Sequence, residues 1–312
     1  MSTDLANNPV DYIVPINING LKGRMLKLPA PKGRSREILF LYGSHSSLER
    51  MFTLAEELNA YGAVTMPDWP GFGGMDSLFK VGAKPTIDNM ADYLATFVKM
   101  SYRRRRFTIV GMSYGFAVAT RMLQKYPEIA AKVDFIASVV GFAHKDDFHV
   151  NKRTLIAFKV GTGVLKHRIP SMIARVVING LTVDATYSLM ANRHSKMKGA
   201  SREERRTRIE FEKILWRIND LRTYFYTGST MFTIDLCNSE GNAQVKVPVY
   251  HVAVNNDQFF NNQLVEQHLA VIYSKVNMLH VTLTAHMPTI VATAAEVAPF
   301  IPKELRKALA AK

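Results

Sequence analysis

The strongest constraint on the fold of this chain is a glycine-framed serine, Gly111-Met112-Ser113-Tyr114-Gly115, set between a strand and a helix. Before it, Phe107-Thr108-Ile109-Val110 is a short β-branched apolar run of the kind that forms a fully buried strand. After it, Phe116-Ala117-Val118-Ala119-Thr120-Arg121-Met122-Leu123 reads as a helix that stops near Pro127. A turn this tight holds the serine in a strained backbone conformation and leaves no room for a flanking Cβ, hence the two glycines. The strain lifts the hydroxyl above the sheet, where a base can reach it. This is the geometry of a nucleophile elbow.

A matching acid and base follow in order. Val247–Val254 reads as another buried strand and ends in Asn255-Asn256-Asp257. About thirty residues further on, Val281-Thr282-Leu283 leads into Thr284-Ala285-His286-Met287-Pro288 and a helical run over Thr289–Phe300. At these residues the chain resembles the α/β-hydrolase family, whose acid follows a late strand and whose histidine precedes the last helix. The resemblance extends to Ile38-Leu39-Phe40-Leu41-Tyr42-Gly43-Ser44-His45, where the family usually has an apolar strand and then His-Gly. It also takes in Asp68-Trp69-Pro70-Gly71-Phe72-Gly73, which is similar to the family's D-x-x-G-F-G turn. Together the motifs cover about residues 10–145 and 245–305. Two positions depart from the pattern. Tyr42 stands where a histidine is usual, and bulky Phe116 follows the elbow where a small residue is common. Both bear on packing rather than on nucleophile, acid or base.

The resemblance implies that Ser113 is the nucleophile and His286 its base, with Asp257 holding the imidazole in the productive tautomer. Some relatives carry the acid one strand earlier, which makes Asp146 and Asp147 the alternates. An oxyanion hole is implied at the backbone N–H groups of Tyr114, just after the nucleophile, and Ser44, just after Gly43.

The rest of the chain sets the architecture. Tyr12–Ile18 and Gly23–Leu28 read as a hairpin turning at Asn19-Gly20. Strands then alternate with helices: Glu37–Leu41, a helix near Ser47–Tyr61, Ala63–Met66, a helix near Thr86–Met100, Phe107–Val110 and Phe135–Phe142. That alternation predicts a mostly parallel, doubly wound α/β sheet. It stops between about His144 and Gln244, where amphipathic helical stretches over Leu155–Gly180 and Glu203–Phe225 carry no strand signal. The expected division is therefore an α/β-hydrolase core over 1–143 and 245–312, with a helical cap inserted over 144–244 and roofing the site.

Composition narrows the class. With 312 residues, 47% of them hydrophobic, the chain can bury one large α/β core with an insertion. Met1–Asn8 lacks the basic and apolar regions of a signal peptide, no apolar run reaches the roughly 18 residues of a membrane span, and the single Cys237 suits a reducing compartment. These features predict a cytoplasmic enzyme. There is no C-x-x-C, H-E-x-x-H or P-loop motif, so no cofactor or metal is expected. The net charge is +14, with sixteen Lys and Arg against seven Asp and Glu over residues 151–235 and a second cluster at Lys99 and Arg103–Arg106. A solvated basic surface is the simplest reading; contact with an anionic surface and selection of acidic substrates are the alternatives. The arginine run precedes the strand leading to Ser113, which puts it at the opposite edge of the sheet.

Three other features carry less weight. His144-Lys145-Asp146-Asp147-Phe148-His149 has metal-ligand residue types without a clear fourth partner. Gly161-Thr162-Gly163 lacks the Gly-Lys and the preceding strand of a phosphate cradle. The apolar stripe Leu155, Ile156, Val160, Val164 and Leu165 is read as cap core rather than as a lipid-binding face. The function these observations support is a capped serine hydrolase that opens an ester-like acyl bond of a small, hydrophobic substrate. Acyl transfer, thioester, amide or carbon–carbon cleavage, and ligand capture without turnover are its rivals.

Overall fold

In the computed structural model, the described residues are 8–189, 200–238, 244–255, 257, 259–282, 288–290 and 292–311. Eight strands form one sheet: β1 (Ile13–Ile18), β2 (Leu21–Leu28), β3 (Arg36–Leu41), β4 (Gly62–Pro67), β5 (Phe107–Met112), β6 (Val133–Val139), β7 (Val249–Val254) and β8 (Val276–Val281). Their order is β1-β2-β4-β3-β5-β6-β7-β8. The leading hairpin is antiparallel and joins β4 antiparallel; every later pairing is parallel. Asn19 and Gly20 turn that hairpin with φ of 51° and 84°, the left-handed conformations that an Asn-Gly pair supplies cheaply.

The strand order locates the site before any side chain is considered. From β3 the chain steps to β4 on one side, then crosses back to β5 on the other. Right-handed crossovers therefore put helix Leu48–Asn59 on one face, and helices Ile87–Ser101 and Tyr114–Lys125 on the opposite face. The crevice beyond the carboxyl ends of β3 and β5 is the point where this direction switches, and open α/β sheets bind ligands there. Gly43-Ser44 leaves β3 at this crevice and Ser113 leaves β5 beside it. β5 is buried along its whole length, as its β-branched apolar sequence requires.

Most expected elements form within two residues of their expected bounds. Among the strands β6 is the exception: it ends at Val139 rather than Phe142, because Val140 adopts a φ of 45° that no strand can continue through. The helical run expected over Thr289–Phe300 is also corrected. Its described part is one turn at Ala294–Val297 and a 3-10 turn at Ala298–Phe300, and the last helix is Lys303–Ala310. Pro299 and Pro302 account for this, since neither can continue a helix from within. Between β6 and β7 lie helices Lys152–Leu165, Arg168–Val177, Gly180–Leu189, Arg202–Ile218 and Leu221–Met231.

Candidate active site

Ser113 stands at the end of β5 with φ 49° and ψ −120°. An L-residue in that conformation is strained, and the surroundings impose it. The Ser113 N–H donates to Val139 O at 3.0 Å, tying the turn to β6. A Cβ on Gly111 would come 2.7 Å from the Phe116 Cα, and one on Gly115 would come 2.4 Å from the Leu41 carbonyl oxygen. Both glycines of the pentapeptide are thus sterically required, and the second lets β3 pack onto the elbow. Phe116 itself fits because Gly141 makes room; a Cβ there would lie 2.5 Å from its ring. The unusual bulk after the elbow is absorbed by one missing methyl on the next strand's exit.

Gly43 abuts the serine from the other side: its ideal Cβ would be 3.2 Å from Ser113 Cβ and 3.7 Å from Oγ. This brings the Ser44 loop to Ser113. Tyr114 is the first residue of its helix, so its N–H has no partner within that helix. Among the described residues, neither the Ser44 nor the Tyr114 N–H enters a hydrogen bond. Two free donors beside a strained serine are what an oxyanion hole needs. The Tyr114 ring is buried edge-on against Trp69, and burial raises its hydroxyl pKa well above the ordinary value.

The loop carrying Ser44 is clamped by the helices between β6 and β7, which sequence reasoning missed. His45 has a φ of 51°, and its ring lies 4.2 Å from Trp216 and 5.1 Å from Tyr224. Its Nε2 is 3.5 Å from Glu212 Oε2. Glu212, almost fully buried, also pairs with Arg50 and accepts a hydrogen bond of 3.1 Å from the Tyr187 hydroxyl. One signal was present in the sequence. Ile209, Glu212, Leu215, Trp216 and Asn219 recur at helical spacing, so the glutamate falls on the stripe that faces inward.

The Asp68 turn is structural. Asp68 is fully buried; its Oδ1 accepts the Tyr42 hydroxyl proton at 2.6 Å and its Oδ2 receives Arg24 Nε–H at 3.0 Å. Burial pushes this carboxyl up to about 7, with Arg24 opposing the shift. Trp69 closes the motif, donating its N–H to the Tyr42 hydroxyl and its indole N–H to the Tyr42 carbonyl. Tyr42 therefore donates to Asp68 from the position where a histidine is usual.

Asp257 sits just beyond β7, in the loop facing this crevice. Its Oδ1 accepts the N–H groups of Phe259 and Phe260 at 2.7 and 3.1 Å. The loop is tied to the start of the inserted segment through His149 N–H to Phe259 O and Asn261 N–H to Asp147 O. His286 lies outside the described residues. Of the alternate acids, Asp146 is exposed, and Asp147 is fully engaged elsewhere. Asp147 is buried, accepts the N–H groups of Ala143 and His144, and lies 2.6 Å from His268 Nδ1. The residue types at 144–149 are thus used within the fold, and among the described residues no three such side chains converge on a point. None of the described histidines hydrogen-bonds Ser113; His251, for example, bonds Ser138 Oγ at 2.8 Å.

Comparisons with known proteins agree with this arrangement. The family described as serine aminopeptidase, S33, matches residues 33–285. Similar solved structures include an epoxide hydrolase, CorEH, at 14% identity and a TM-score of 0.65, covering 95% of this chain and 97% of that one. A thermophilic esterase matches at 19% identity and a TM-score of 0.59, covering 95% and 96%. A hydrolase from Oleispira antarctica matches at 11% and 0.64, covering 92% and 94%. At such identities these likenesses speak for the fold alone. No curated protein sequence matches significantly. Elbow, sheet order and family match converge: the chain belongs to the serine aminopeptidase S33 family and is an α/β-hydrolase enzyme.

Proposed function

We propose that the enzyme cleaves a carboxylic ester through an acyl-enzyme on Ser113, with His286 as general base and Asp257 orienting it. The observation that carries this reading is the elbow, where a serine at φ 49° ends the central strand beside two N–H groups that no described residue engages. His286 would take the Ser113 proton as Oγ attacks the acyl carbon, and the N–H groups of Ser44 and Tyr114 would receive the oxyanion. His286 would then protonate the leaving alkoxide and later activate the water that releases the acid. The helices over 152–231 serve in this reading as a cap. An apolar cleft of about 410 Å³ between them, lined by Ile178, Val183, Tyr187 and Trp216, reaches Trp216. That ring lies tilted against His45, next to Ser44, and this contact supports the cleft as the place for a hydrophobic acyl chain.

The family description raises peptide amine substrates as a second reading, and one observation argues against it. Glu212, the buried carboxylate beside the oxyanion loop, is already paired with Arg50 and so is not available to a free α-ammonium group. The Ser113→Ala variant tests the proposal. It should lose covalent labelling by a fluorophosphonate probe and lower kcat on p-nitrophenyl esters by on the order of 10⁴–10⁶. Unchanged labelling would remove Ser113 from the mechanism, and faster turnover of aminoacyl anilides than of esters would favour the peptidase.

A further inference from the structure

The apolar stripe at the start of the inserted segment does not all face inward. Leu155 and Leu165 are half-buried, but Ile156 and Val160 are each 61% exposed and Val164 is 54% exposed, so for these three the expected role as cap core is overturned. The next helix, Arg168–Val177, is oriented the same way. Ser171 and Ala174 are its buried positions, whereas Ile169, Met172, Ile173 and Val176 are between 61% and 75% exposed. Those four fall at i, i+3, i+4 and i+7, a single face. Leu181, opening the third helix, is 83% exposed. A helix that turns its small and polar residues to the protein and its aliphatic ones to solvent reverses the usual arrangement. Scattered single hydrophobics are ordinary on a surface; consecutive helical faces of them mark a binding surface.

From these faces and their charges we infer that the helices over residues 152–189 form a docking surface for an anionic lipid bilayer, lying on it without crossing it. Charge selects the occupant. Residues 152–189 carry six Lys and Arg and a single acid, Asp184. Arg153, Lys159 and Arg168 are exposed and, among the described residues, make no ion pair, whereas Arg175 turns inward to the carbonyls of Trp216 and Asn219. Aliphatic side chains interleaved with unpaired cations match a surface that offers hydrocarbon below and phosphate above. A second copy of this chain, itself at +14, would set like charges against each other. A nucleic acid offers phosphate but no hydrocarbon layer to cover the aliphatic rows. No helix among the described residues is long and apolar enough to span a membrane, which leaves peripheral docking. The face also continues into the cleft that ends at Trp216, because Val177 belongs to both.

The experiment uses the full chain carrying Ser113→Ala, so that binding is read without turnover. Co-sedimentation is measured with phosphatidylcholine vesicles, alone or with about 30% phosphatidylglycerol. The protein should bind the anionic vesicles at least about tenfold more tightly than the neutral ones. Ile169→Ser, Ile173→Ser and Val176→Ser together should weaken that binding at least about tenfold, and Arg153→Glu, Lys159→Glu and Arg168→Glu should abolish the anionic preference. Ile156→Ser with Val160→Ser is the second apolar variant, and circular dichroism checks that each set folds. In the Ser113 background all sets should still hydrolyse a soluble short-chain ester, so a failure here is distinct from a failure of the proposed chemistry. Equal or absent binding to both vesicles overturns the inference, as does unchanged binding by the apolar variants. A dimer in sedimentation equilibrium that the same substitutions dissociate would assign the face to a second copy and also overturn it.

Discussion

Two buried side chains near the crevice have measurable consequences of their own. The Tyr42 hydroxyl donates to Asp68 and accepts from the Trp69 N–H, all three groups being shut off from water. Tyr42→Phe keeps the ring and leaves both partners unsatisfied, which should cost about 2–3 kcal/mol in urea unfolding. An unchanged midpoint would show that water replaces the phenol. His251 is the second. Burial lowers its pKa from the ordinary 6.5 to about 4, with His280 adding to the shift and Asp257 opposing it. The folded state therefore favours the neutral ring, while the unfolded chain takes up a proton below 6.5. The stability from this group is complete above 6.5 and is lost as the pH falls towards 4, on the order of 3 kcal/mol across that window. Unfolding measured from pH 7 to 4 should show the fall, and His251→Gln should flatten it; an identical slope in the variant would assign the loss to other groups.

Between elements, the critical contact is the buried pair of Arg50, on the helix after β3, and Glu212, on the helix Arg202–Ile218. Removing one member of such a pair leaves an uncompensated charge and costs about 3–5 kcal/mol, whereas replacing both by apolar groups is far milder. Glu212→Gln should therefore speed limited proteolysis within 152–231 and lower kcat, because His45 and the Ser44 loop lose their clamp. Arg50→Met with Glu212→Leu should recover most of the protease resistance. If the double variant is cleaved as fast as the single one, the pair acts through its polarity and not through docking of these helices. This contact also marks where the sequence stopped being readable. The elbow was legible because strand, glycines and helix are adjacent, and the alternation was legible because each parallel strand is a continuous apolar run. The clamp joins residues far apart along the chain, which no periodicity reports. β8 went unrecognised as a strand because it is an edge that is nowhere fully buried, so its composition stays mixed. The faces of the first inserted helices were misassigned because helical spacing says which residues share a face, not which way that face turns.

At the scale of the whole molecule, the densest run of positive charge is kept away from the Ser113 end of the sheet. The arginine run after helix Ile87–Ser101 lies at the amino edge of the sheet, where Arg105 meets Glu37 and Arg106 meets Asp134. On Arg202–Ile218, Arg202, Arg206 and Arg217 are exposed and Arg205, Arg208 and Lys213 are half-buried, while Ile209 and Leu215 turn in beside Glu212. A neutral ester should therefore be preferred over a matched ester carrying a carboxylate, and Arg205→Glu with Arg206→Glu should leave kcat nearly unchanged. Comparing kcat/KM for p-nitrophenyl butyrate and for the p-nitrophenyl hemiester of succinate checks this; a carboxylate preference that vanishes in the variant would make those arginines substrate-reading groups. The His45 clamp, finally, sets a schedule for synthesis. Asn219, whose amide meets the His45 ring, is added 174 residues after it. Throughout that stretch of translation the elbow can form while the loop beside it stays unbraced. The nascent chain thus holds its strained serine early and its brace late, and cannot complete the brace until the ribosome has delivered the helices between β6 and β7.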